Sequence, residues 1–109
     1  KVYRMMIEDT LERLPDTKFM ILEPFVLKAA ATEEKWDEFK SEVALRAAAA
    51  KRVAEDYNLV FVPLQEKFDA AAEKTNDASY WLADGVHPTP AGHGLIAEAW
   101  LEAFEKNIK

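Results

Sequence analysis

Asp84-Gly85-Val86-His87-Pro88-Thr89 puts a carboxylate three residues before an imidazole, and Pro90-Ala91-Gly92-His93 follows at once. An Asp–His pair is two thirds of a nucleophilic triad. The imidazole takes a proton from a nucleophile, and the carboxylate fixes its tautomer and stabilises its protonated form. An imidazole titrates at roughly pH 6.5, so it serves as a base near neutrality without large tuning. The flanking residues suit that use. Pro88 restricts the backbone of His87, and Gly85 frees the backbone beside Asp84. A second reading stands beside the first, in which Asp84 bonds local backbone in a capping loop and His87 is a surface side chain.

The other chemistry-bearing residues form no comparable set. Asp84, His87 and His93 could be drawn as metal ligands, but no further carboxylate lies at ligand spacing. The favoured reading makes His93 a partly buried residue in the first turn of the last helix, and no metal is expected at the site. The two serines, Ser41 and Ser79, sit in the middle of a helix and in a loop. Neither occupies the tight strand-to-helix turn that exposes a nucleophile. Glu23 ends an apolar run and reads as a substrate-loop or supporting acid, or as a solvated loop acid. Trp36 and Trp100 read as core aromatics. Trp81, three residues before Asp84, is placed either to wall a substrate pocket or simply to pack.

These residues need elements to hold them. Val2, Tyr3, Met6, Ile7, Thr10, Leu11 and Leu14 recur at helical spacing and predict a helix over 2–14. Residues 18–22 form a short apolar run that predicts a buried strand, followed by a loop over 24–32. A long helix is expected over 33–57, with Trp36, Phe39, Val43, Ala47, Ala50, Val53 or Ala54, and Tyr57 inward. Asn58 is its stop. Residues 59–62 predict a second buried strand ended by Pro63, and 64–74 a shorter helix burying Leu64, Phe68 and Ala71 or Ala72. After a loop over 75–83 comes the Asp–His segment. Thr89 as N-cap and Pro90 at N1 then open a last helix to about Asn107, with Leu95, Ile96, Ala99, Trp100 and Ala103 on its packed face.

Strand, long helix, strand is a parallel βαβ unit with flanking helices, which makes the fold class α/β. Sites in open α/β sheets form beyond the carboxyl ends of the strands, where the 24–32 loop lies and which the Asp–His loop can reach. Two parallel strands leave bare edges, so the unit is expected to be part of a larger domain. A chain starting at Lys1 without an initiator Met fits an excised piece of something longer.

The chain has 109 residues, half of them hydrophobic, and a net charge of −6. No basic stripe is present to neutralise phosphates, which argues against nucleic-acid or anionic-membrane partners. With no cysteine there are no disulfides and no thiolate metal sites. The apolar runs are too short to span a bilayer. Nothing in the composition assigns a compartment.

The run from Asp84 to His93 closely resembles the last signature block of the SGNH (GDSL-type) serine hydrolases, D-x-x-H-P followed shortly by G-H. The layout of the whole chain is similar to that family's C-terminal half, including the Glu23-Pro24 strand end and an early Trp36 in the long helix. The resemblance implies a flavodoxin-like three-layer α/β/α sandwich, of which residues 1–109 are the C-terminal portion of a single domain. It implies hydrolysis of small acyl esters, such as an acetyl group on a carbohydrate or a lipid-like alkyl ester, without a cofactor. His87 would be the base and Asp84 its orienting acid. The family's nucleophilic Ser and its oxyanion Gly and Asn belong to other blocks, which this chain does not contain. The expected partners are therefore the acyl-ester substrate and the N-terminal half of the domain, and the chain alone is expected to be nearly inactive. The alternative is a non-catalytic, truncated or degenerate α/β module that pairs through its bare sheet edge, with itself as a homodimer or with a partner.

Overall fold

The computed structural model describes residues 2–108; the reading of Lys1 as the start of an excised piece lies outside them. The chain runs α1 (Val2–Arg13), β1 (Met20–Leu22), α2 (Ala30–Glu33), α3 (Trp36–Asp56), β2 (Val60–Val62), α4 (Gln65–Thr75), a 3₁₀ turn (Ala78–Tyr80) and α5 (Pro90–Asn107). Among the described residues the fold is mixed α/β, with two parallel strands and five α-helices. The strands pair Met20 with Val60, Ile21 with Phe61 and Leu22 with Val62. The Glu23 amide continues the ladder by donating to the Val62 carbonyl at 3.0 Å. Helix α3 packs on both strands, α5 packs on β2, and α4 lies against α5.

The helix ends follow from local chemistry. At the end of α3, Asn58 adopts a left-handed φ of 55°. The Leu59 amide then donates to the Ala54 carbonyl at 2.7 Å and the Asn58 amide to Glu55 at 3.2 Å. That pattern is a Schellman closure, in which Asn tolerates the conformation that other side chains resist. Asn76 closes α4 in the same left-handed region. At α5 the Thr89 hydroxyl accepts from the Gly92 amide at 3.1 Å, and Pro90 stands at N1.

Several expected boundaries and faces are corrected. Pairing begins at Met20 rather than at residue 18, and at Val60 rather than 59. The loop expected over 24–32 contains α2, and the long helix starts at Trp36, because the backbone at Lys35 leaves the helical region with ψ of 43°. Of the apolar face predicted for α1, only Ile7 is buried; Val2, Tyr3, Met6 and Leu14 are exposed. Phe39 is exposed on α3, whose buried residues are Ala50, Val53 and Ala54. Trp100 is likewise exposed and stacks on Phe104, with ring centroids 5.3 Å apart, so it is an aromatic pair on the surface of α5 rather than a core residue.

Leu27, Val62, Leu64, Phe68, Leu82 and Ala99 form the core cluster, and Phe25 stacks on Phe68 at 4.6 Å. Phe68 and Leu82 have no exposed surface. The core thus joins the loop after β1, the start of α4 and the residue that opens the Asp–His segment. Surface contacts latch the first two turns of α1 to the end of α3. Arg4 pairs with Asp56 at 2.7 Å, and the Tyr57 hydroxyl donates to Glu8. Exposed pairs of this kind contribute modestly. Among the described residues no helix is long and apolar enough to cross a membrane.

Gly92 and Gly94 lie on the same helix in opposite situations. A Cβ at Gly92 would overlap the Trp81 carbonyl oxygen and crowd Pro88, whereas a Cβ at Gly94 meets nothing within 4 Å. Gly92→Ala is expected to destabilise by about 1–3 kcal/mol through overpacking. Gly94→Ala is expected to stabilise by up to about 1 kcal/mol through helix propensity. Urea unfolding of the two variants checks the opposite signs.

Candidate active site

The Asp–His segment is a closed turn. Leu82 and Pro88 form an antiparallel bridge. The Ala83 amide donates to the His87 carbonyl, the Gly85 amide to Leu82, and the Thr89 amide to Trp81, each at 3.0 Å. The Thr89 hydroxyl also donates to the Tyr80 carbonyl at 2.6 Å, so the residue that caps α5 fastens the turn to the preceding 3₁₀ segment.

Within this frame Asp84 is held from three directions. Its Oδ1 accepts from the Val86 amide at 3.0 Å and the His87 amide at 2.8 Å. Its Oδ2 lies 2.6 Å from His87 Nδ1. The two backbone amides and the imidazole favour the ionised form, so the carboxyl is held well below the usual carboxylate range, the His87 amide being the largest cause. With Asp84 ionised, Nδ1 carries the proton and donates, which leaves Nε2 as the nitrogen with a free lone pair. The His87 side chain is 80% exposed and that of Asp84 35%. The turn therefore presents an oriented, accessible base. Both readings offered by the sequence meet here: Asp84 does bond local backbone, and it bonds the imidazole as well.

Gly85 supplies the bend. Its φ is 97°, a conformation L side chains rarely adopt. Its carbonyl accepts from the Leu27 amide at 2.9 Å, which ties the turn to the loop after β1. That loop is in turn clipped to α4. Glu23 Oε1 accepts from the Leu64 amide at 2.9 Å and the Gln65 amide at 2.8 Å. Gln65 Oε1 accepts from the Val26 amide at 2.9 Å, and its Nε2 donates to the Val26 carbonyl at 2.8 Å. Glu23 is thus a structural acid that caps the first amides of α4; it is not the solvated loop acid that the sequence suggested. Gln65 and the buried Thr32 are contributors that sequence reasoning missed. Neither carries a local signal, because their partners lie 39 residues away in the first case and in an irregular loop in the second.

The remaining candidates separate from the pair. His93 is exposed on α5 rather than partly buried. Among the described residues no group of three or more His, Cys, Asp or Glu could hold a metal ion. Ser41 is exposed on α3, and Ser79 donates to Asp77 at 2.7 Å. Trp81 is half-buried against the core; its indole N–H donates to the Thr75 hydroxyl at 3.0 Å and its ring meets Tyr80 edge-on at 4.9 Å. A groove of about 590 Å³ runs between Pro24, Val26 and the Trp36, Val43 and Ala47 side of α3; neither Asp84 nor His87 lines it. The pair belongs to an open surface.

Comparison with known proteins places this geometry in context. The model of the GDSL-like Lipase/Acylhydrolase family matches residues 1–95. A crystal structure described as a GDSL-like lipase from Parabacteroides merdae superimposes with a TM-score of 0.78 and 39% sequence identity, covering 93% of this chain and 45% of that one. A multidomain esterase of Ruminococcus flavefaciens is 34% identical over 62 residues, which is 54% of this chain and 7% of the esterase. The chain therefore spans less than half the length of either relative.

The Asp84 interactions predict a pH signature. The carboxyl has a lower pKa folded than unfolded, so its contribution to stability is complete above about pH 5. It is lost as pH falls through the ordinary value near 4 towards the depressed folded one. Urea unfolding of wild type and Asp84→Ala is expected to show wild type the more stable at neutral pH, with the gap narrowing steadily between about pH 5 and pH 2. A gap constant across that range would contradict the assigned role of the two amides.

Proposed function

The chain belongs to the GDSL-like lipase/acylhydrolase family, and from that premise we propose that it is the Asp–His portion of a serine ester hydrolase. The observation that carries the reading is the 2.6 Å contact between Asp84 Oδ2 and His87 Nδ1, with the imidazole facing solvent. His87 Nε2 takes the proton of a serine hydroxyl as that oxygen attacks the ester carbonyl, then returns it to the departing alkoxide. A water molecule is deprotonated in the same way to release the acid. Asp84 keeps Nδ1 protonated and stabilises the imidazolium that forms in each half-reaction.

In this proposal the serine and the groups that stabilise the oxyanion come from the rest of the domain. Residues 1–109 form the C-terminal portion of a flavodoxin-like three-layer α/β/α sandwich. The 45% coverage of the solved relative supports that division. So do the exposed Val2, Tyr3, Met5 and Met6 on α1 and the short two-stranded sheet, which suit further elements packed beside β1. The substrates are small acyl esters, acetylated carbohydrate or lipid-like, and the chemistry calls on no cofactor. The same exposed surface suits the second reading, a non-catalytic module that pairs with itself or a partner.

Hydrolysis of p-nitrophenyl acetate by this chain and by an upstream-extended polypeptide separates the two. Activity is expected in the longer polypeptide only. His87→Ala in that polypeptide is expected to lower kcat by about a thousandfold or more. Near-normal turnover by His87→Ala would remove the role assigned to the imidazole, and activity in neither polypeptide would favour the pairing module.

A further inference from the structure

Thr32 is buried to 1% exposure. Its hydroxyl accepts from the Ala29 amide at 3.0 Å and donates to the Leu27 carbonyl at 2.6 Å, with the Ala29 carbonyl at 2.9 Å. Leu27 is the residue whose amide holds the Gly85 carbonyl. Thr32 also presses directly on Gly85. A Cβ at position 85 would overlap Thr32 Oγ1 and would stand 2.6 Å from the Leu27 carbonyl oxygen and 2.7 Å from Thr32 Cγ2. Gly85 lies between Asp84 and the two amides that Asp84 accepts from.

We propose that Thr32 is a positioning residue for the Asp84–His87 pair. Its hydroxyl fixes the Leu27 peptide, and Leu27 and Thr32 together form the seat on which Gly85 rests. The argument is geometric. The His87 imidazole on the outer side of the turn is 80% exposed. The inner side is held by the Gly85 carbonyl bond and by close packing against Thr32. Replacing the hydroxyl by a methyl group leaves the buried Leu27 carbonyl and Ala29 amide without that partner, which favours a shift of the seat. A small displacement of a base from its proton donor is enough to cost rate.

The catalytic consequence rests on the function proposed above; the structural one does not. The test is therefore made in the protein that carries this chain, with two readouts on Thr32→Val and Thr32→Ser. The first is amide hydrogen exchange of peptides spanning residues 82–89. Thr32→Val is expected to accelerate exchange at Val86 and His87 by roughly tenfold, the scale of a lost buried hydrogen bond. Peptides from α4 and α5 are expected to be unchanged, and Thr32→Ser to restore protection. The second is ester hydrolysis, where Thr32→Val is expected to lower kcat by roughly 10- to 100-fold at unchanged KM and Thr32→Ser to recover most of it. Altered exchange without altered kcat, in a protein that His87→Ala inactivates, overturns positioning for catalysis. Altered exchange in a protein with no esterase activity removes the function proposed above but leaves the seat standing. Unchanged exchange in Thr32→Val overturns the proposal. Where Thr32→Val does not fold, Thr32→Ser decides: its loss of protection at residues 86 and 87 would show that the hydroxyl is not the determinant.

Discussion

A single carboxylate, that of Asp84, accepts two backbone amides on one oxygen and an imidazole on the other. The two oxygens divide the work. Oδ1 closes the turn from inside by holding the Val86 and His87 amides. Oδ2 then selects which ring nitrogen bears the proton. A carboxylate anchored this way has little rotational freedom left to lose when the imidazole becomes charged. In the function proposed above, such preorganisation is what makes electrostatic stabilisation effective. The arrangement needs no buried charge, because both oxygens have partners while the group stays in contact with solvent.

The turn is only as well placed as what lies beneath it. Leu82, the residue that opens it, is part of the hydrophobic core, and Pro88, which bridges back to Leu82, precedes the cap of α5. Apolar burial therefore fixes one end of the turn, at Leu82, and hydrogen bonds fix the rest. The division matches the properties of the two forces. Burial is strong but non-directional, and it sets distance to the sheet. Hydrogen bonds are individually modest in net energy but demand direction. Close packing at Gly85 and Gly92 lets the backbone approach near enough for both to act, and at each position a side chain would collide with a carbonyl oxygen.

What could be read in the sequence was the part written in local patterns. Thr89-Pro90 states a helix start in two adjacent residues, and Asn58 states a helix end in one. The strands were found from short apolar runs, and the Asp–His spacing from three positions in a row. Faces were read less well, for a physical reason. Periodicity gives the direction of an apolar stripe but not whether anything packs on it, so it points Phe39, Trp100 and most of α1 inward although they are exposed. The anchors of the site were not legible at all. Glu23 bonds amides 41 and 42 residues away, and Gln65 reaches back 39 residues to Val26. A polar side chain that completes a distant backbone has no signature in its own neighbourhood. Both stand in the sequence as ordinary surface types.

That clip has a kinetic side. Glu23 and Gln65 join the end of β1 to the beginning of α4 across the whole crossover helix, so their bonds exist only after the two strands have come together. Closing so long a loop costs chain entropy before any of these contacts returns it. The strand pair, the loop after β1 and the first turn of α4 are therefore tied together by bonds between segments far apart in sequence. The Asp–His turn hangs from that unit through Leu27 and Gly85. The placement of the imidazole against the sheet therefore depends on bonds between segments far apart in sequence, even though the residues that make the turn are neighbours.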